Sequence, residues 1–98
     1  MSKEMMMIFT KEEIKRIKEN PDGISLDLHK LSVKQSKRLV NNVISMNRDE
    51  FSLTLIHGYV HGTAIKEMLV GNFDNPRVIA KRGVKNNYGR TVFDIIAA

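Results

Sequence analysis

The chain has 98 residues, 42% hydrophobic and 28% charged, enough for one compact domain with a single modest core and too few for a second. With 16 Lys and Arg against 11 Asp and Glu, the formal net charge is +5, which favours a polyanionic partner over a cationic one. There is no cysteine, which excludes disulfides, thiolate metal sites and a Cys nucleophile and leaves any catalysis to His, carboxylates or hydroxyls. No apolar run approaches the ~20 residues needed to cross a bilayer, and Met5 to Phe9 falls short of a signal-peptide core of roughly 7–15 residues. The expected location is cytoplasmic, without a membrane.

The Met-rich start, residues 1–9, shows no period. Thr10 with Glu13 has the form of a capping box, and Phe9 with Ile14 that of a hydrophobic staple. A short peripheral helix is therefore expected to run to about Glu19 and to stop at Asn20-Pro21-Asp22-Gly23. Residues 1–23 are read as an arm and short helix, and residues 24–98 as the α/β domain proper.

From Ile24 the period changes to two: Ile24, Leu26 and Leu28 alternate with Ser25, Asp27 and His29, the pattern of a strand, which puts Asp27 and His29 on one face. Ser32 with Gln35 opens a basic amphipathic helix whose apolar side is Val33, Ser36, Val40, Val43 and Ile44. A turn over Asn47 to Glu50 leads to a buried strand, Phe51 to Ile56. That strand runs directly into His57-Gly58-Tyr59-Val60-His61-Gly62. Ala64, Ile65, Met68 and Leu69 then form a helical stripe that ends at Gly71-Asn72. Strands from Arg77 to about Arg82 and from Thr91 to Ile96 make a hairpin around Asn86, Asn87 and Gly89. The order predicts a two-layer α/β sandwich with a βαβαββ core and a mixed four-stranded sheet, preceded by an N-terminal helix. Its first three strands run parallel and its fourth antiparallel to its hairpin partner.

In such sheets ligands bind beyond the carboxyl ends of strands, and two distinctive segments fall there. In Asp27-Leu28-His29 a carboxylate two residues before an imidazole can orient the ring and fix its tautomer, as a phosphodiester-cleaving site requires; the plainer reading is a loop-capping Asp beside an exposed His. In the second segment, Gly58 and Gly62 permit close backbone approach, and the amides opening the helix at Thr63 and Ala64 can receive a phosphate oxygen. His57 and His61 can add donors or relay protons, and Tyr59 can stack on a base or sugar; the alternative is an ordinary strand-to-helix turn with a semi-buried His57. Zinc does not suit the spacing, because His57 and His61 share a glycine loop and not a helix face. No cofactor is expected. Basic residues free of intervening acids, Lys30, Lys34, Lys37 and Arg38, then Arg82, Lys85 and Arg90, are candidate nucleic-acid contacts by salt-sensitive phosphate binding, or else solvated faces. With four Phe, two Tyr and no Trp, a base-stacking sheet platform is not expected.

The run Ile24-Ser25-Leu26-Asp27-Leu28-His29, the following helix, Leu55-Ile56-His57-Gly58, a Gly-Thr-Ala-Ile-Lys helix opening and Asn87-Tyr88-Gly89-Arg90-Thr91 together resemble the small MutS-related (Smr) domain over residues 24 to 96. In the absence of a Walker loop, the likeness is to its stand-alone form. The resemblance implies an α/β sandwich similar to the C-terminal domain of bacterial translation initiation factor three. It also implies nucleic-acid binding and, in several members, endonuclease activity on DNA or RNA, including mRNA cleavage at stalled ribosomes. It assigns Asp27 and His29 to the family's Asp-Leu-His positions, and His57 and Gly58 to the start of its His-Gly-x-Gly loop. Lys30 stands where the family usually has Gly, and Val60 where the second loop Gly is expected.

Three functions follow as expectations. One is a metal-independent endonuclease that uses Asp27, His29 and His57, with phosphate on Gly58, Tyr59, His61, Gly62 and Thr63. The other is a non-catalytic adaptor for nucleic acid or the ribosome that works through its basic surface. A protein-interaction domain with incidental basicity is a third.

Overall fold

A computed structural model describes residues 8–58 and 63–98. Helix α1 (Lys11–Lys15) leads into strands β1 (Ile17–Asn20) and β2 (Gly23–Asp27), helix α2 (Val33–Met46) and strand β3 (Phe51–Ile56). Helix α3 (Thr63–Glu67) continues into a π-helical turn, Met68–Asn72, followed by β4 (Val78–Val84) and β5 (Asn87–Ile95). The strands form one sheet in the order β1-β2-β3-β5-β4. β2 and β3 are parallel, and every other pair is antiparallel.

The sheet has five strands where the sequence predicted four. The predicted helix to Glu19 stops at Lys15, and Ile17–Asn20 pairs with β2 through the Pro21-Asp22 turn, in the register Ile17 with Leu26 and Asn20 with Gly23. The helical reading had only Ile14 and Ile17 to bury. Pairing instead satisfies the backbone of this segment on the open edge of β2 and sinks Ile17 into the core, a non-local gain that local periodicity does not register. Both predicted capping boxes form. Thr10 Oγ1 accepts from the Glu13 amide at 3.1 Å, and Glu13 Oε1 accepts from the Thr10 amide at 2.9 Å. Ser32 and Gln35 exchange the same bonds at 3.0 and 3.1 Å.

β2, β3 and β4 share a direction, as the sequence predicted, but β5 lies between β3 and β4. The hairpin turns on Lys85-Asn86, with Asn86 in the left-handed region at φ 62°, and Asn87 through Gly89 belong to the strand. One face of the sheet carries Leu26, Leu53, Leu55 and Phe93, which form a single cluster with Leu39, Val40, Val43, Ile44, Ile65, Met68 and Leu69 of the helices. Val33 and Ala64, both predicted on apolar helix faces, are exposed. Each sits in the first turn of its helix. Ser25, Ser52, Thr54 and Arg82 lie on the other face, which the helices leave open.

Gly23 sits where β2 begins, at φ 154°, and a Cβ there would meet the Ser52 carbonyl oxygen at 2.2 Å. Because Ser52 is its register partner in β3, neither strand can yield without losing pairing. Gly23→Ala is therefore expected to destabilise the protein by about 3 kcal/mol, roughly 10–20 °C in Tm for a domain of this size. Gly71→Ala, whose Cβ meets nothing within 4 Å, should leave thermal unfolding nearly unchanged.

Candidate functional site

The β2–β3 register places Asp27 opposite Ile56, and the Leu28 amide then donates to the Ile56 carbonyl at 2.8 Å. Beyond this point β2 leaves the sheet in a turn closed by the Leu31 amide on the Leu28 carbonyl at 3.1 Å, with His29 and Lys30 at its centre. Lys30 has φ 67°, so the turn has the form of type II, which favours glycine at its third position. A lysine there costs about 1 kcal/mol relative to glycine. It is the position at which the resemblance to the Smr pattern leads one to expect Gly.

The turn folds His29 back onto Asp27. The His29 ring Nδ1 and the His29 amide both donate to Asp27 Oδ1, the amide at 3.1 Å. With its proton held on Nδ1, the neutral ring leaves Nε2 as a bare acceptor. The His29 side chain is half exposed, so that nitrogen can reach a ligand. Arg16, which sequence reasoning passed over inside a supposed peripheral helix, reaches under the turn. Its Nη1 donates to the carbonyls of Asp27 at 3.1 Å and His29 at 3.0 Å. No local motif signals this, because Arg16 meets the site only through β1–β2 pairing.

His57 departs from its expected place. One residue beyond Ile56, it projects to the face opposite Asp27 and is 1% exposed. Its Nδ1 donates to the Gly58 carbonyl at 2.7 Å, and its Nε2 accepts from the Thr91 hydroxyl at 2.9 Å. Both nitrogens are thus committed inside the protein, and the two-residue period of β3 separates His57 from the Asp27–His29 pair. Gly58, expected to offer its amide to phosphate, instead donates it to the Gly89 carbonyl at 3.0 Å, beside the His57 amide at 2.9 Å. Gly58 has φ 75°, and a Cβ on Gly89 would stand 3.3 Å from Gly58 Cα. His57, Gly58, Gly89 and Thr91 therefore form a latch that fixes where the loop leaves β3. Tyr59, His61 and Gly62, and the departing Val60, lie outside the described residues; Thr63 opens α3 and is exposed.

The basic candidates divide. Arg38 pairs with the buried Glu13 at 2.8 Å and joins α2 to α1, and Arg82 makes two 3.2 Å bonds to Asp94. Lys30, Lys34, Lys37, Lys85 and Arg90 are exposed and form no ion pair among the described residues. Arg90 is the register partner of Ile56, so it shares the open face with Asp27 two strands away, about 10 Å between Cα atoms. Tyr88, two residues earlier in β5, is 73% exposed. Among the described residues no three His, Asp or Glu side chains gather as metal ligands.

Burial holds the His57 pKa below its ordinary 6.5; the Gly58 hydrogen bond opposes the shift and the Lys66 charge adds to it. Below pH 6.5 the unfolded chain therefore binds a proton that folded His57 refuses. The stability contributed by neutral His57 is complete above that pH and declines as acid is added. Melting wild type and His57→Gln from about pH 8 to about pH 5 should show the Tm gap between them narrowing on acidification; a constant gap would contradict the buried, neutral ring.

No family model and no curated protein matches the sequence. Among solved structures, the Smr domain of Thermus thermophilus MutS2 is similar, at 25% identity and a TM-score of 0.57 over 72% of this chain and 95% of that one. The mixed sheet with its helices, the Asp27–His29 turn at the end of β2 and the His57-Gly58 latch at the end of β3 are thus set in an Smr-like fold.

Proposed function

We propose that this chain binds nucleic acid and cleaves phosphodiester bonds in RNA, with His29 Nε2 as general base. The observation that carries this reading is the His29 ring hydrogen-bonded through Nδ1 to Asp27 Oδ1 at the carboxyl end of β2, half open to solvent. Asp27 keeps the proton on Nδ1 and stabilises the imidazolium once Nε2 has taken a second proton. Arg90 on the same face and Lys30 in the turn supply cations for the phosphates on either side of the scissile bond.

The burial of His57 favours RNA over DNA. Among the described residues His29 is the one imidazole open to solvent, and a nucleophile already attached to the substrate needs only that base, whereas DNA would also require a positioned water. His29 takes the proton of the 2′-hydroxyl, the 2′-oxygen attacks phosphorus, and the bond to the 5′-oxygen breaks. A 2′,3′-cyclic phosphate and, after protonation by solvent, a 5′-hydroxyl remain. Cleavage of structured RNA in EDTA should yield these ends, disappear when the scissile nucleotide is 2′-deoxy, and fall by roughly 10²–10⁴-fold in His29→Ala. Equal cleavage by wild type, Asp27→Ala and His29→Ala would end the proposal.

The adaptor reading draws support from the same sealed His57, since a binding module needs no second proton carrier. Lys34, Lys37, Lys85 and Arg90 suit its test better than Arg38 or Arg82, whose charges are already spent on Glu13 and Asp94. Each of these four replaced by Gln should lower the salt slope of single-stranded RNA binding by about 0.7. Flattened slopes together with cleavage indifferent to His29 would establish the adaptor; unchanged slopes would exclude this surface as the contact.

A further inference from the structure

One cation below the Asp27–His29 turn has no part in the chemistry above, although it touches both ends of that pair. The Arg16 side chain is 15% exposed, and a single nitrogen, Nη1, holds the carbonyls of Asp27 and His29 and lies 4.0 Å from Asp27 Oδ1. The Arg16 carbonyl in turn accepts from the Asp27 amide at 2.9 Å, so main chain and side chain both hold Asp27 while the side chain alone reaches His29. The Glu12 carboxylate stands 3.7 Å from Nη2 on the outer side, while Nε is buried with no partner. An unsatisfied buried N–H costs about 1–3 kcal/mol, so this is an expensive way to fill space beneath a turn.

The turn needs such a tether. Lys30 holds a left-handed conformation disfavoured by about 1 kcal/mol, and nothing in a Leu-His-Lys-Leu sequence selects that turn on its own. Pinning the Asp27 and His29 carbonyls fixes the Asp27–Leu28 and His29–Lys30 peptide planes, and the second of these constrains the direction in which the imidazole leaves the chain. We infer that Arg16 is a positioning residue, a half-buried cationic clamp that aligns His29 Nδ1–H on the Asp27 carboxylate. Its effect on cleavage rests on the reading of that pair as the reactive one; its effect on ring alignment does not. Because both carbonyl bonds come from one nitrogen, a lysine ammonium can replace them in part, while glutamine or methionine cannot.

The test follows ¹⁵N-labelled histidine by NMR in Arg16→Lys, Arg16→Gln and Arg16→Met, alongside kcat and KM on RNA. Wild-type His29 should show a single tautomer protonated at Nδ1. The Gln and Met variants should show mixed tautomers, with kcat lower by on the order of 10²-fold, KM unchanged and the remaining amide spectrum preserved. Lysine should recover the single tautomer and part of kcat. An unchanged tautomer in folded Gln and Met variants overturns the clamp. If His29→Ala cleaves like wild type, the cleavage reading alone fails and the tautomer still decides the clamp. The wild type supplies a further measurement that needs no substitution: the Arg16 Nη1 protons should be protected from exchange, and rapid exchange overturns the inference.

Discussion

The parallel register of β2 on β3 governs the site. Once Asp27 is set against Ile56, side-chain alternation sends Asp27 to the open face and His57 to the core, and no adjustment of rotamers can bring them together. A slip of β2 by one residue would turn Ile24 and Leu26, both buried, from the core to the open face. Core burial and site geometry are therefore one constraint: the apolar positions that stabilise the sheet also decide which polar groups can meet.

Two devices built on that register divide the work at the carboxyl ends of β2 and β3. On the open face a carboxylate, an imidazole and a guanidinium are joined through a turn that strains one residue, Lys30. On the covered face His57, Gly58, Gly89 and Thr91 exchange hydrogen bonds that leave neither ring nitrogen free. A buried imidazole with both nitrogens satisfied suits a neutral ring, in keeping with its lowered pKa. The latch ties β3 to β5, so the loop that follows starts from a fixed point, and Tyr88 and Arg90 extend the open face beside it.

The N-terminal segment shows how far local pattern reaches. Thr10 and Glu13 declared a helix start correctly, because a capping box involves residues three apart. The helix end was not legible. Ile17–Asn20 becomes strand only because β2 offers an unpaired edge, a partner that the segment's own composition does not reveal. The same pairing delivers Arg16 to the Asp27–His29 turn, so a residue that reads as solvated helix surface becomes part of the site. Arg38 and Arg82 likewise read as free cations until tertiary contact supplies Glu13 and Asp94.

The amino-acid sequence by itself determined the periodicities: the alternating Ile24–Leu28 run, the amphipathic α2, the apolar β3, the hairpin and the Asp27–His29 pair two residues apart. These rest on interactions among near neighbours, whose geometry the backbone repeat fixes. Only the tertiary structure decided that the sheet has a fifth strand, that β5 lies between β3 and β4, that His57 is sealed and that Arg16 reaches His29. Each of those depends on segments distant in the chain competing for the same edge, face or buried volume, and that competition is resolved by packing and not by local preference.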